Sequence, residues 1–202
     1  MRADMTIRRL LCFLFLALLP LPVSGQSAEN YFLAGASFGS TQVIGGSNVT
    51  VTGSPGFSDV IGFAFEVKKK SAVSLWVEPF PLAFDSPGGS ASIQGSASAN
   101  GIIVTPSARL MVPLEPRISV FAAVGGGGGQ YHNYTLSSDI PPQLKTHSVF
   151  HGVFSAGGGV DFRISRHVSI RIDARDYLTG RGLGGVLGRN HFLPMAGVAL
   201  HY

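Results

Sequence analysis

The stretch VFHGVFSAGGGVDFRISRHVSIRIDARDYLT, residues 149–179, contains two runs in which apolar and polar side chains alternate. In the first run Phe150 and Phe162 fall on one face, whereas His151 and Asp161 fall on the other. A short turn, SRH, separates this run from a second run of the same kind. Because successive side chains of a strand point to opposite faces of a sheet, the period of two predicts a β-hairpin with one apolar face and one polar face.

The same alternation recurs in eight segments, at residues 31–39, 59–67, 72–84, 101–114, 118–130, 149–164, 168–179 and 191–202. The connections KKKS, EPR and SRH are tight, and they alternate with long Gly- and Ser-rich loops at residues 40–58, 85–100, 133–148 and 180–190. An even number of antiparallel strands, with short turns at one end and long loops at the other, is typical of outer-membrane barrels. The sequence therefore predicts an all-β fold, an eight-stranded antiparallel up-and-down transmembrane β-barrel.

The composition and the N-terminus agree with an exported membrane protein. Charged residues make up 13% of the 202 residues and hydrophobic residues 45%, whereas about a quarter of a soluble domain is charged. A basic head and the apolar run 10–23 precede small residues, which predicts a cleaved signal peptide over residues 1–25 and a barrel domain over residues 26–202. The single cysteine, Cys12, lies in the signal, so we expect no disulfide in the mature chain.

The polar faces of the predicted strands carry charges of both signs. They hold four carboxylates and four arginines: Glu66, Glu78, Arg109, Asp161, Arg163, Arg171, Asp173 and Arg175. An unpaired buried charge costs several kcal/mol, so these groups are expected to neutralise one another in an internal network. Such a network suits a barrel too narrow for a water channel, and the bulky inward Trp76 argues against a pore.

The last strand is apolar at alternate positions up to its end, at Val198, Leu200 and Tyr202. In a bilayer every backbone polar group must be paired, so the last strand is expected to close on the first. The terminal aromatic residue with apolar residues at alternate positions before it resembles the C-terminal signal that the outer-membrane barrel assembly machinery recognises. Phenylalanine is the usual terminal residue of that signal, and tyrosine takes its place here.

The signal, the eight strands, the loop asymmetry, the inward charges and the terminal aromatic residue together resemble the small OmpA/OmpX-type outer-membrane β-barrel domains. The resemblance covers nearly all of the mature chain and is one of architecture and pattern. It implies a monomer in the bacterial outer membrane, with outer-membrane lipid and the barrel assembly machinery as partners. We expect no peptidoglycan-binding domain after the barrel, so the function would belong to the barrel and its four loops.

This resemblance implies a non-enzymatic protein with a structural or surface-interaction role, in which the loops contact an extracellular ligand that the sequence does not name. We expect no cofactor and no metal site. After removal of the signal the net charge is +2, and the one basic run, Lys68 to Lys70, lies in a predicted turn. A solvated turn explains this run better than a nucleic-acid surface, so we expect no nucleic-acid partner.

Two alternatives remain open. His167 and Ser169 resemble the His and Ser, two apart on a strand, of eight-stranded lipid A deacylases, which would make the chain a lipid-modifying enzyme. His167 lies in a predicted periplasmic turn, however, whereas lipid A occupies the outer leaflet. The other alternative is a soluble secreted β-barrel that binds a small apolar ligand. The motifs GASFG at residues 35–39 and GRGLGG at residues 180–185 lack the helix that their chemistry requires and are interpreted as chance.

Overall fold

A computed structural model of the chain describes residues 27–39, 42–43, 49–70, 72–91, 96–98, 101–137, 144–179 and 189–202. The predicted signal peptide and the GRGLGG sequence lie outside these residues. The strands are β1 (Ala28–Gly39), β2 (Gln42–Val43), β3 (Thr50–Lys70), β4 (Val73–Glu78), β5 (Leu82–Ala91), β6 (Ser96–Ser98), β7 (Gly101–Val104), β8 (Ser107–Glu115), β9 (Ile118–Leu136), β10 (Leu144–Arg163), β11 (Val168–Thr179) and β12 (Arg189–His201). No helix in the described part of the chain is long and apolar enough to cross a membrane.

The strands form one closed antiparallel ring. Two positions of the ring are each occupied by two successive strands, β4 followed by β5 and β7 followed by β8. Around the ring the order is β1, β3, β4/β5, β7/β8, β9, β10, β11 and β12, and β12 pairs with β1. At the closure Asn30 lies opposite Leu200, and the backbone N–H of Tyr202 donates to the carbonyl oxygen of Ala28 at 2.9 Å. Within the described residues the ring has eight barrel strands, which confirms the predicted fold and leaves no open edge.

Two of the predicted strands are broken by proline. The predicted segment 72–84 consists of β4 and β5, separated at residues 79–81, where the sequence is PFP. The predicted segment 101–114 consists of β7 and β8, separated at Thr105 and Pro106. Because proline has no N–H to donate to the ladder, strand pairing is interrupted at these residues and resumes beyond them.

Several strands extend beyond their predicted ends into the predicted loops. β3 begins at Thr50, β9 continues to Leu136, and β10 begins at Leu144. The predicted loop boundaries at 40–58, 85–100 and 133–148 are therefore partly wrong. The strands continue to pair beyond the residues in which apolar and polar side chains alternate, so the sequence pattern does not mark their ends. Lys68 to Lys70 also belong to β3 rather than to a turn, and a bulge lies between Glu66 and Lys68. Residues 44–48, 92–95, 138–143 and 180–188 of the four predicted loops lie outside the described residues.

The outer surface of the barrel is apolar. Its exposed large side chains include Phe32, Phe38, Phe57, Val67, Leu75, Ile102, Leu110, Val124, Phe150, Phe154, Phe162, Ile164, Ile170, Ile172, Phe192, Val198 and Leu200. A soluble barrel would bury these side chains as its core, so the alternative of a soluble apolar-ligand binder is wrong. The polar face points inward instead, as in barrels that are solvated by lipid.

Inside the barrel an aromatic ring lies across a glycine of the neighbouring strand. Tyr31 of β1 is directly opposite Gly62 of β3, and a Cβ added to Gly62 would lie 2.3 Å from the tyrosine ring and from its hydroxyl. Both residues are buried, and the ring cannot move aside without displacing the charged side chains beside it. Glycine at this position is therefore a packing requirement.

Substitution of Gly62 by alanine is expected to lower the free energy of unfolding by about 1–3 kcal/mol, because overpacking a filled interior forces neighbours off their rotamers. The measurement is urea unfolding of the refolded barrel in lipid vesicles. Gly152→Ala is the matched control, since a Cβ at Gly152 meets nothing within 4 Å. Equal stability of the two variants would contradict the proposed packing of Tyr31 on Gly62.

Candidate functional site in the barrel interior

The centre of the barrel holds a continuous chain of ion pairs. In order of contact its members are Asp161, Arg171, Glu29, Arg109, Glu78, Arg175 and Asp173. Each of these seven residues is at most 5% exposed. The carboxylates come from β1, β4, β10 and β11, so the chain links strands on opposite sides of the ring.

The geometry of the pairs satisfies several guanidinium donors at once. Arg171 donates to both carboxylate oxygens of Asp161 at 2.7 Å, through Nε and Nη2. Glu29 Oε1 accepts a hydrogen bond from Arg109 Nη2 at 2.5 Å and forms an ion pair with Arg171 Nη1 at 2.8 Å. Arg175 donates to both oxygens of Glu78, at 2.8 and 3.0 Å. Bidentate, charge-assisted contacts of this kind are the strongest hydrogen bonds in proteins, and they offset the desolvation of the charges.

Aromatic rings fill the space between the charges. The guanidinium of Arg109 lies 5.3 Å from the Trp76 ring centroid and 5.4 Å from that of Phe121. The guanidinium of Arg171 lies 5.2 Å from the Phe121 ring centroid and 5.1 Å from that of Tyr31. Cations within about 6 Å of a ring face are attracted to it, most strongly where water is excluded. The rings therefore hold the two arginines in place and occupy the lumen.

Six of the eight residues predicted for the interior network lie in this chain: Glu78, Arg109, Asp161, Arg171, Asp173 and Arg175. The other two differ from the prediction, because Arg163 is exposed and Glu66 is half-buried, both at the end of the barrel where the short turns lie. Both residues occupy inward positions in the alternation along their strands. They lie beyond the closed part of the lumen, however, where water solvates them.

Sequence reasoning missed Glu29, which bridges two arginines. The predicted first strand began at Tyr31, whereas β1 begins at Ala28. Glu29 has the same parity as the inward Tyr31 and Leu33, so a strand extended by two residues toward the signal peptide would have included it. Proximity to the predicted cleavage site obscured this signal.

A second buried cluster lies near the end of the interior that faces the long loops. Ser37 donates a hydrogen bond to Asp85 Oδ1, and His191 Nδ1 lies 2.5 Å from Asp85 Oδ2. The Tyr131 ring packs on His191 with centroids 4.9 Å apart. Ser37 is the central residue of GASFG, but it lies within β1 and bonds a carboxylate rather than a histidine. The carboxylate of Asp85 therefore contacts both Ser37 and His191, which differs from the direct serine–histidine contact of an activated serine nucleophile.

Ser169, the serine of the deacylase alternative, faces the lumen. Its hydroxyl lies 2.8 Å from His201 Nε2, whereas His167 Nδ1 approaches the His201 carbonyl oxygen at 3.3 Å. The pairing of His167 with Ser169 is therefore wrong: the antiparallel pairing of β11 with β12 brings His201, 32 residues away along the chain, to Ser169 instead. His201 Nδ1 lies 3.5 Å from Glu29 Oε2.

The predicted C-terminal signal lies on the outside. Val198, Leu200 and Tyr202 are all exposed on the exterior of β12 or at its end. Among the described residues no group of His, Cys, Asp and Glu side chains could hold a metal ion.

These features define the class of protein. A closed antiparallel barrel with an apolar exterior, a polar interior, short turns at one end and longer connections at the other is the architecture of bacterial outer-membrane proteins. The chain is a small outer-membrane β-barrel, and its location is the bacterial outer membrane, where its exterior meets lipid.

Solved structures of outer-membrane proteins share the fold. Neisserial surface protein A matches with a TM-score of 0.53 and 12% identity, over 85% of this chain and 96% of that chain. The outer membrane protein OprG from Pseudomonas aeruginosa matches with a TM-score of 0.51 and 11% identity, over 88% and 95%. The outer membrane protease OmpT from Escherichia coli matches with a TM-score of 0.52 and 7% identity, over 91% and 99%. At these identities the likeness concerns the fold alone.

No protein-family model matches the chain, and no curated protein matches its sequence.

Proposed function

We propose that the protein is a monomeric, non-enzymatic barrel of the OmpA/OmpX type that acts at the cell surface through its four long loops, in a structural or surface-interaction role. The observation that carries this proposal is the filled lumen. Seven charged side chains in continuous contact, with Tyr31, Trp76 and Phe121 among them, occupy the barrel interior. A closed interior leaves the exterior and the loops as the surfaces that can act.

A filled lumen predicts that the barrel does not conduct ions. Insertion of the refolded protein into planar lipid bilayers should produce no stepwise conductance, because every path along the axis crosses the ion-pair chain. Bilayers that receive the same volume of detergent are the control. Reproducible unitary steps above that background would contradict the closed interior and would favour a pore.

The loops are tested by shortening them without changing the barrel. Residues 138–143 and 180–188 are each replaced by a two-residue Asn-Gly turn, which suits a β-hairpin. For an interaction role, we expect cells that carry the loop variants to lose autoaggregation and adherence to surfaces, while the sensitivity of the cells to detergent stays unchanged. A structural role would be favoured if the cells become more sensitive to detergent when the whole protein is deleted but not when the loops are shortened. If neither the deletion nor the loop variants change these properties, the proposed function is wrong.

The enzymatic alternative makes a different prediction. Ser169 points into the lumen, whereas lipid acyl chains lie against the exterior, and Glu29 is already engaged by Arg109 and Arg171. Outer-membrane lipid extracts incubated with the purified protein should therefore show the same composition as extracts incubated with Ser169→Ala. Release of fatty acid by the parent chain and not by the variant would overturn the non-enzymatic proposal.

A further inference from the structure

The end of the barrel that carries the short turns opens into a cavity of about 380 Å³. Its rim is formed by the turn between β3 and β4, the turn between β8 and β9, the turn between β10 and β11, and the ends of β1 and β12. Because short turns face the periplasm in this class of barrel, the cavity faces the periplasm. Its volume is in the range of sites for small organic ligands.

Two parts of the cavity wall differ in chemistry. Trp76 and Met111, on the adjacent strands β4 and β8, line one wall with aromatic and apolar surface. Arg163 and Arg166, at the end of β10 and in the turn after it, line another part of the cavity, with β9 between β8 and β10. The lining of the cavity is therefore amphipathic.

The cationic side of the cavity is reinforced by a neighbouring turn. The backbone N–H of Arg163 donates to the carbonyl oxygen of Arg117 at 2.7 Å, so that Arg117 and Arg163 are adjacent at the rim. Lys69 adds a fourth cation to the lining. Within the described part of the chain, none of these four side chains forms an ion pair.

Acidic groups also line the cavity but do not neutralise these cations. Both carboxylate oxygens of Asp161 accept hydrogen bonds from Arg171, on the lumen side. Glu66 is half-buried and Glu115 exposed, and within the described residues neither forms an ion pair with the four cations. Four uncompensated positive charges against two negative ones leave a positive potential in a concave site, which concentrates anions.

The inner end of the cavity is closed and polar. Ser169 and His201 form a hydrogen-bonded pair there, and Ser169 is buried. The ion pair between Asp161 and Arg171 lies behind them. A ligand that enters from the periplasm would thus meet hydrogen-bonding groups at the inner end and would not pass through the barrel.

We propose that this cavity is a binding site for a small amphipathic organic anion from the periplasm. The carboxylate or phosphate group of the ligand contacts Arg163, Arg166 and Arg117, and its aromatic or aliphatic part packs on Met111 and Trp76. The amphipathic walls, the uncompensated cations and the closed inner end together favour this class of ligand over inorganic ions or neutral solutes. The site is independent of the surface role proposed for the loops.

Trp76 is the only tryptophan of the chain and lines the cavity, so its fluorescence reports on occupancy. The mature chain, refolded in zwitterionic detergent, is titrated with 4-nitrobenzoate and separately with 4-nitrobenzamide, a neutral compound of nearly the same shape. Saturable quenching by the anion, with only linear quenching by the amide, is the expected result. Linear quenching by both compounds, or equal saturable quenching by both, would overturn the proposal.

The double variant Arg163→Ala, Arg166→Ala should bind 4-nitrobenzoate about tenfold or more weakly, because it loses two charge-assisted contacts. The double variant Lys68→Ala, Lys70→Ala removes the same charge from the same rim, but neither lysine lines the cavity. This control should bind within about twofold of the parent chain, since screened rim charges act weakly at a distance. Equal weakening in both double variants would assign the binding to diffuse surface potential and would reject a built site. A gel-mobility shift on boiling verifies that each variant is folded.

Discussion

Replacement of Glu29 by glutamine is expected to lower the free energy of unfolding by about 3–5 kcal/mol, because it leaves buried arginine charge uncompensated. Glu29 Oε1 is the bridge between Arg109 and Arg171, and all three side chains are fully buried. Glutamine keeps the shape and one acceptor oxygen but loses the charge that both guanidinium groups share. The measurement is urea unfolding of the barrel in lipid vesicles, followed by tryptophan fluorescence.

The control for this prediction is Glu66→Gln. Glu66 is half-buried at the periplasmic rim and, within the described residues, forms no ion pair, so its neutralisation should change stability by less than about 0.5 kcal/mol. A double-mutant cycle that combines Glu29→Gln with Arg171→Met should show a favourable coupling, since the two groups are in direct contact. If Glu29→Gln is no more destabilising than Glu66→Gln, the ion-pair chain does not stabilise the barrel.

Introduction of arginine at Ile172 should destabilise the barrel by about 2–4 kcal/mol, because this position lies on the lipid face. Ile172 is 51% exposed and lies near the middle of β11, opposite Val160 and Ala196 of the neighbouring strands. A guanidinium there meets acyl chains rather than water. Urea unfolding in vesicles measures the loss.

Ile164→Arg is the matched substitution at the edge of the membrane. Ile164 is 61% exposed and follows the end of β10, next to the turn, and the cost of arginine falls to about 0–1 kcal/mol near the interface. The difference between the two variants is the diagnostic quantity. Equal costs at Ile172 and Ile164 would mean that the exterior is not embedded in a bilayer to the depth inferred from its apolar belt.

Much of the fold was predictable because its signals are local. The period of two assigns Ile170 and Ile172 to one face and Arg171 and Asp173 to the other, whatever the rest of the chain does. The predicted segment 168–179 coincides with β11. The strand ends were less predictable: pairing of β9 and β10 continues to Leu136 and Leu144, where no apolar face remains to mark a strand.

The interior was predictable in composition but not in connectivity. Alternation alone predicted that Arg109, Asp161 and Arg171 face inward, as they do. It could not predict that Arg171 donates hydrogen bonds to both oxygens of Asp161 and also pairs with Glu29. These contacts depend on the stagger of β10, β11 and β1 around the ring.

The sequence by itself determined the class of fold, the identity of the lipid face and the sign of most interior charges, because each of these follows from spacing along a single strand. The tertiary structure alone decided which charges meet, that Ser169 contacts His201 rather than His167, and that cationic and apolar side chains line one periplasmic cavity. The physical reason is the pairing register of the strands together with the closure of the ring. Side chains on opposite walls of a barrel are brought within contact distance by the register and curvature of the intervening strands, and no local pattern encodes that register.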